Sequence, residues 1–134
     1  MCLKKGGWQC FAYEGNNKYN AIIAGGPSYI VHPSDLAPAL IALGAQVKIH
    51  SPRGERDMSL AEFFVHPEER LNLETVLRPD EILTEVIVPR PSAESQSTYL
   101  KFKEKGSMDW ALSAVAAVVT FKGNHVEDVS VCLG

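Results

Sequence analysis

The stretch ALSAVAAVVTFKGNHVEDVSVCLG, residues 111 to 134, constrains the fold most. It consists of two apolar runs joined by Lys122-Gly123-Asn124. By periodicity alone the first run reads as helix or strand. Val115, Val118, Val119 and Phe121 push its latter part toward strand, because β-branched and aromatic side chains fit a pleated surface. A Gly-Asn pair between two such runs predicts an antiparallel hairpin. HVEDVSVCLG alternates as the second strand, with Cys132 read as a small buried hydrophobe.

Upstream, HPSDLAPALIALGAQV carries helix signals. Ser34 or Asp35 can cap a helix over roughly 35 to 43. Leu36, Ala39, Leu40 and Leu43 recur at helical spacing, and Gly44 ends the run. AQVKIHS then alternates as a strand, RGER reads as a turn, and RDMSL as a second short strand. SLAEFF reads as a helical turn capped by Ser59, and ILTEVIVP as a strand that Pro89 ends. PSAESQS is polar and reads as a linker, followed by a strand in STYLKFKEKG.

Residues 1 to 28 carry few regular signals beyond one short strand expected in YNAIIAG. Gly25-Gly26 follows it and precedes the helix. Glycine-rich turns before helices often cradle phosphates, which raises a nucleotide as one reading of the pair.

Composition narrows the classes. Apolar residues make up 46% of the 134, enough for a core. The net charge is −3 and no block of Lys and Arg exists, so nucleic acid is not expected as a partner. No apolar run approaches a membrane span, and MCLKKGGWQC lacks a signal core, so a cytoplasmic protein is expected. Three cysteines argue against a disulfide scaffold. His32, His50, His66 and His125 are scattered without paired spacing, so no zinc site is expected. VSVCLG stops inside an apolar run and the start is equally abrupt, which suggests a piece of something larger.

HPSDLAPALIALGAQVKI, RGER, LAEFF, VLRPDEILTEVIVP and YLKFKEKGSMDWALSAVA occur in one order and spacing. That ordered set resembles the FAD-carrying subunit of molybdenum hydroxylases, the group of xanthine dehydrogenase, carbon monoxide dehydrogenase and 4-hydroxybenzoyl-CoA reductase. The likeness covers nearly the whole chain. It implies that residues 1 to 95 form the second half of a FAD-binding α+β domain, with 1 to 28 as a loop insertion. Residues 98 to 134 would be the first antiparallel strands of an incomplete C-terminal domain.

The resemblance also implies the chemistry. FAD would receive electrons from iron–sulfur clusters and pass them to NAD or another acceptor. The implied partners are a large molybdenum-cofactor subunit and a small [2Fe-2S] subunit. The substrate belongs to the molybdenum subunit. Asp35 matches an aspartate beside the flavin, although a plain helix cap explains the same residue. Leu83 matches a residue packing on the isoalloxazine ring, or is simply a core leucine. Lys101 matches a lysine near the polar edge of the flavin, where a cation stabilises negative charge on the reduced ring, or is a solvated strand lysine. Asp109 matches an aspartate before the same apolar run and reads as an N-cap. No nucleophile is expected.

Two departures stand out. The family's Gly-rich diphosphate loops are missing at the matching positions, and Gly25-Gly26 lies elsewhere, in the insertion. FAD is therefore expected to bind this chain weakly or not at all. Cys2 and Cys10 are separated by seven residues, a spacing the reductase branch uses within a four-cysteine [4Fe–4S] loop. Ser28 stands near where another ligand would fall, so the pair reads as a remnant of such a loop. The alternative to an electron-transfer fragment is a non-enzymatic remnant that acts as an interaction module, or as a homodimer paired through exposed strand edges.

Overall fold

The computed structural model describes residues 1–23 and 26–134. Helix α1 spans Leu36–Ala42, and the strands are β1 Gln46–Ser51, β2 Gly54–Ser59, β3 Ile82–Ile87, β4 Ser95–Phe102, β5 Ser113–Lys122 and β6 His125–Leu133. They form two three-stranded sheets, ordered β2-β1-β3 and β4-β5-β6, and every pairing is antiparallel. One helix and two antiparallel sheets make an α+β architecture.

α1 ends as its sequence dictates. The Gly44 N–H reaches the Ile41 carbonyl at 2.9 Å, and the Ala45 N–H reaches Leu40 at 2.9 Å. This is the Schellman pattern, and it needs the left-handed φ of 70° that Gly44 supplies without a Cβ penalty. The chain then enters β1, the central strand of the first sheet. Val47 and Ile49 point inward and are essentially unexposed. They pack with Ala45, Leu60 and Phe63, against Leu40 and Ile41 of α1 and Leu83 of β3.

The same helix also covers the second sheet. Pro38 lies beside Ala114 at the end of β5, where a Cβ on Gly134 would sit 3.0 Å from the Pro38 ring. Ala114 and Ala116 are buried on that face. Small residues there let the helix approach closely. α1 therefore links both sheets.

Three local expectations need correction. Gly54–Arg56 lies in β2, so the turn is only Pro52-Arg53; the Ser51 hydroxyl closes it, donating to the Gly54 carbonyl at 3.1 Å and accepting the Arg53 N–H at 3.2 Å. Ser95–Ser97 lies in β4 and not in a linker. Polar residues are tolerated because β4 is an edge strand, and Ser95 Oγ meets Thr120 Oγ1 at 2.8 Å. No strand forms over residues 19–23. There the Ala21 N–H and the Asn20 amide both spend themselves on the Tyr29 carbonyl, at 3.0 and 3.1 Å. Gly25, half of the glycine pair, lies outside the described residues. The long hairpin is as expected, with Gly123 at φ 60° in its two-residue turn. Ser59 does cap the 3-10 turn Leu60–Glu62, accepting the Ala61 N–H.

The first sheet is cross-braced at Glu81. Its carboxylate accepts from Arg56 Nε at 3.1 Å and Nη2 at 2.9 Å, and from the Arg78 N–H at 2.9 Å. The Arg56 guanidinium, then the Arg78 amide, hold its pKa down to about 2. A folded-state pKa below the unfolded one makes ionised Glu81 stabilising above about pH 4.5, and that contribution fades as pH falls toward 2. Glu81→Gln should therefore melt earlier than the parent at pH 7, with the gap closing below pH 4.5. Thermal melts across that range check this; a gap independent of pH would contradict it.

Among the described residues no helix is long and apolar enough to cross a membrane.

Candidate functional site

The functional side chains meet at the seam between the start of α1 and the helix-covered face of β4. Ser34 decides the arrangement. Its Oγ accepts the Ala37 N–H at 3.1 Å and caps the helix. Asp35, the next residue, makes no side-chain cap bond. Its carboxylate is thereby free to face β4.

Two β4 residues take it up. Alternation along a strand puts Tyr99 and Lys101 on one face, and their partners across the ladder are the buried Ala116 and Ala114. The Tyr99 hydroxyl donates to Asp35 Oδ1 at 3.0 Å. Lys101 Nζ donates to Asp35 Oδ2 at 2.7 Å and to the Asp109 carbonyl at 2.6 Å. The Lys101 side chain is 19% exposed and that of Asp35 40% exposed, so the pair is half sheltered with its carboxylate toward solvent.

The titrations follow from these contacts. The Lys101 hydrogen bond, aided by Tyr99, holds the Asp35 carboxyl below its ordinary range against the opposing pull of desolvation. Desolvation, with the Asp35 carboxylate beside it, pushes the Tyr99 phenol up. At neutral pH the cluster holds an ionised carboxylate and a protonated phenol, with the lysine between two acceptors. It holds no nucleophile poised for attack. Its chemistry is electrostatic: it fixes a carboxylate and a cation at a half-open edge.

The loop after β4 carries apolar groups beside it. Met108 is almost wholly exposed and Trp110 more than half. Asp109 caps no helix, because the run after it is strand β5. Its carboxylate instead accepts the Trp110 N–H at 3.0 Å, and its carbonyl serves Lys101.

Of the residues singled out from sequence, Asp35 and Lys101 are brought together. Leu83 is not part of their hydrogen-bonded cluster: it pairs with Ile49 and packs on the first-sheet core. Tyr99 was missed. Its signal was present in Tyr-Leu-Lys, since a residue two before Lys101 on a strand must share its face. Cys2 and Cys10 are both free and partly exposed. The Tyr29 N–H bonds Cys10 Sγ at 3.4 Å and holds that thiol below its ordinary value. Among the described residues no group of three or more His, Cys, Asp or Glu side chains converges as a metal site. His32 stacks at a tilt on Phe64, and His50 meets Glu55 at 3.3 Å.

Whether a flavin suits these residues can be tested on the donor set. A carboxylate and an ammonium at a sheltered edge, with exposed apolar side chains near, fit the polar rim of a flavin ring. A diphosphate asks for a run of backbone N–H groups at a Gly-rich turn. The described glycines with positive φ (Gly6, Gly44, Gly54 and Gly123) sit singly at element ends and build no such cradle. Among the described residues the side chains suit the ring end of such a cofactor, and no run of backbone N–H groups suits its diphosphate end.

A family profile described as "FAD binding domain in molybdopterin dehydrogenase" matches residues 18–91, and the chain belongs to that family. It is 33% identical over 117 residues to the aldehyde oxidoreductase FAD-binding subunit PaoB of Escherichia coli (strain K12), covering 86% of this chain and 36% of that protein. It is 37% identical over 98 residues to the nicotinate dehydrogenase FAD-subunit of Eubacterium barkeri, covering 73% and 31% respectively. Among solved structures, a chain of reconstituted CO dehydrogenase from Oligotropha carboxidovorans superposes with a TM-score of 0.65 at 28% identity, over 89% of this chain and 36% of that one. The chain thus spans about a third of the length of the relatives it matches.

Proposed function

We propose that this chain supplies the ring-side portion of the flavin site in an electron-transfer subunit of a molybdenum hydroxylase. The observation that carries the reading is the Asp35–Tyr99–Lys101 cluster, which joins α1 to β4 across 66 residues of sequence; two of its members, Asp35 and Lys101, are those that the resemblance implies beside FAD. Lys101 would place positive charge at the polar edge of the ring. Tyr99 would hold Asp35 in one rotamer, and the Ser34 cap leaves that carboxylate free to accept from the cofactor. Trp110 and Met108 would shield the site from water. FAD, when bound, supplies the redox chemistry, taking electrons from iron–sulfur clusters and yielding them to NAD or another acceptor.

The partners in this reading are a large molybdenum-cofactor subunit and a small [2Fe-2S] subunit, in the cytoplasm, with xanthine dehydrogenase as the type of assembly. The domain reading follows: residues 1 to 95 belong to the FAD-binding domain and 98 onward to the C-terminal one. Residues outside the matched third would furnish the diphosphate loops, so FAD should bind this chain weakly.

Titration of FAD with the chain, followed by flavin fluorescence anisotropy, tests the reading. Weak, saturable binding that Asp35→Ala diminishes is expected. No binding at any accessible protein concentration would sink the flavin role for this chain. It would favour instead a non-enzymatic interaction module, which the bare apolar face of the second sheet supports.

A further inference from the structure

Among the described residues, hydrogen bonds carry residues 1–23 to the two sheet units at two places, and the two differ in kind. The first is Lys4, in the 3-10 turn Leu3–Lys5, which is 5% exposed. Its Nζ donates to the Leu73 carbonyl at 2.8 Å and lies 3.3 Å from Glu74 Oε1. Backbone bonds fasten that partner to the core of the first sheet. The Val65 N–H donates to the Glu74 carbonyl at 3.1 Å, and the Val76 N–H to the Phe63 carbonyl at 3.0 Å. The aliphatic stem of Lys4 is buried with its head. Withdrawing it would break both polar contacts and return apolar surface to water, so this end is a fixed anchor.

The second place is Glu104, in the loop between β4 and β5 of the other sheet. Lys18 Nζ donates to its Oε1 at 2.6 Å and the Tyr19 hydroxyl to its Oε2 at 2.6 Å, so the segment occupies both carboxylate oxygens. Lys18 Nζ lies 5.1 Å from the centre of the Tyr19 ring, and the two donors are presented together. The side chains of Lys18 and Glu104 are 55% and 40% exposed. An ion pair so open to water gains little and is screened by salt, so this end is releasable. Between the two ends the segment is folded and not slack. The Tyr13 and Tyr29 rings lie 6.4 Å apart, the Asn20 N–H donates to the Asn17 carbonyl at 3.0 Å, and the Ala21 N–H donates to the Tyr29 carbonyl at 3.0 Å.

We propose that residues 1–20 form a strap between the two sheets, fixed at Lys4 and latched reversibly at Glu104 by Lys18 and Tyr19. α1 is the permanent link between the sheets, and the strap is a second link whose strength depends on the ionic surroundings. The latch bears on the carboxylate–lysine seam. Glu104 shares its loop with Asp109, whose carbonyl accepts from Lys101 at 2.6 Å, so the closed latch and Lys101 hold that loop at two points. Opening the latch leaves the loop on Lys101 alone. The strap does not rest on the flavin reading: it stands or falls in the chain without FAD.

Amide hydrogen exchange of the full 134-residue chain, without FAD, tests it. Asn20 and Ala21 report on the strap. Leu3, bonded to the Gln9 carbonyl at 2.9 Å, reports on the anchor, and Leu112, bonded to the Phe102 carbonyl at 2.9 Å, on the base of the loop. Lys18→Glu and Glu104→Lys should each quicken exchange at Asn20 and Ala21 about fivefold. Salt at about 1 M, where the screening length falls to about 3 Å, should do the same in the parent chain. The double variant carrying both substitutions should restore the slow rates, because the swapped charges attract as the native ones do. Leu3 and Leu112 should keep their parent rates throughout. Asn20 and Ala21 rates indifferent to salt and to both single substitutions would overturn the proposal. So would a double variant that stays fast, or equal quickening at Leu3 or Leu112.

Discussion

Lys101→Met should raise the pKa of Asp35 and weaken FAD binding about tenfold, the loss expected when one charge-assisted hydrogen bond is removed. Methionine keeps much of the stem and its packing but removes the ammonium. Asp35 then retains only the Tyr99 hydroxyl at 3.0 Å. The Lys101 hydrogen bond is the leading cause of the lowered Asp35 pKa, so its loss moves the carboxyl back toward the ordinary range. Because that pKa is depressed in the folded state, the interaction stabilises above the unfolded value and is lost as pH falls through the folded one. Carboxyl-carbon NMR of Asp35 through an acid titration reads the shift directly, whether or not FAD is present. A midpoint that does not move would show that Lys101 leaves Asp35 unaffected. The Asp109 carbonyl also loses its 2.6 Å partner, so amide exchange should quicken in the loop that carries Met108 and Trp110.

Ile49→Ala should destabilise the fold by about 3 kcal/mol, within the 2–5 kcal/mol seen for aliphatic truncation in a packed core. Ile49 is 1% exposed and lies on the central strand of the first sheet, paired with Arg56 on one side and Leu83 on the other. Among the described residues five are buried in that core, so few neighbours can shift to fill the cavity. The midpoint of urea unfolding should fall while the slope stays constant. Ile82→Ala is the natural control: Ile82 is 69% exposed, and its loss should stay within about 0.5 kcal/mol. A loss below about 1 kcal/mol at Ile49 would mean that the core relaxes far more than its burial indicates.

Local chemistry was the legible part of this chain. The Gly44 helix stop, the Ser59 cap and the Gly123-Asn124 hairpin each depend on a few neighbouring residues, and each was readable from them. The errors fell where a distant partner overrode a local signal. Ser95-Gln96-Ser97 looks like a linker in isolation, yet it becomes strand because β5 offers it a ladder and an open edge forgives its polarity. YNAIIAG looks like a strand, yet residues 19 to 23 pair with no strand and hand two donors to Tyr29.

The candidate site divides in the same way. By itself the sequence determined the inventory: a Ser-Asp pair before a helix, a Tyr-x-Lys strand and a leucine in an alternating run. It left open which of Ser34 and Asp35 caps α1, because either side chain has the reach. Tertiary structure decided it. α1 packs on small residues of β5, which brings its first turn to the covered face of β4, where an unpaired lysine would be costly to shelter. Asp35 neutralises that cation, Ser34 takes the cap, and Leu83, on another sheet, stays with its own core. Contacts that close 66 residues of chain depend on how whole faces pack, and no local window of sequence contains that information.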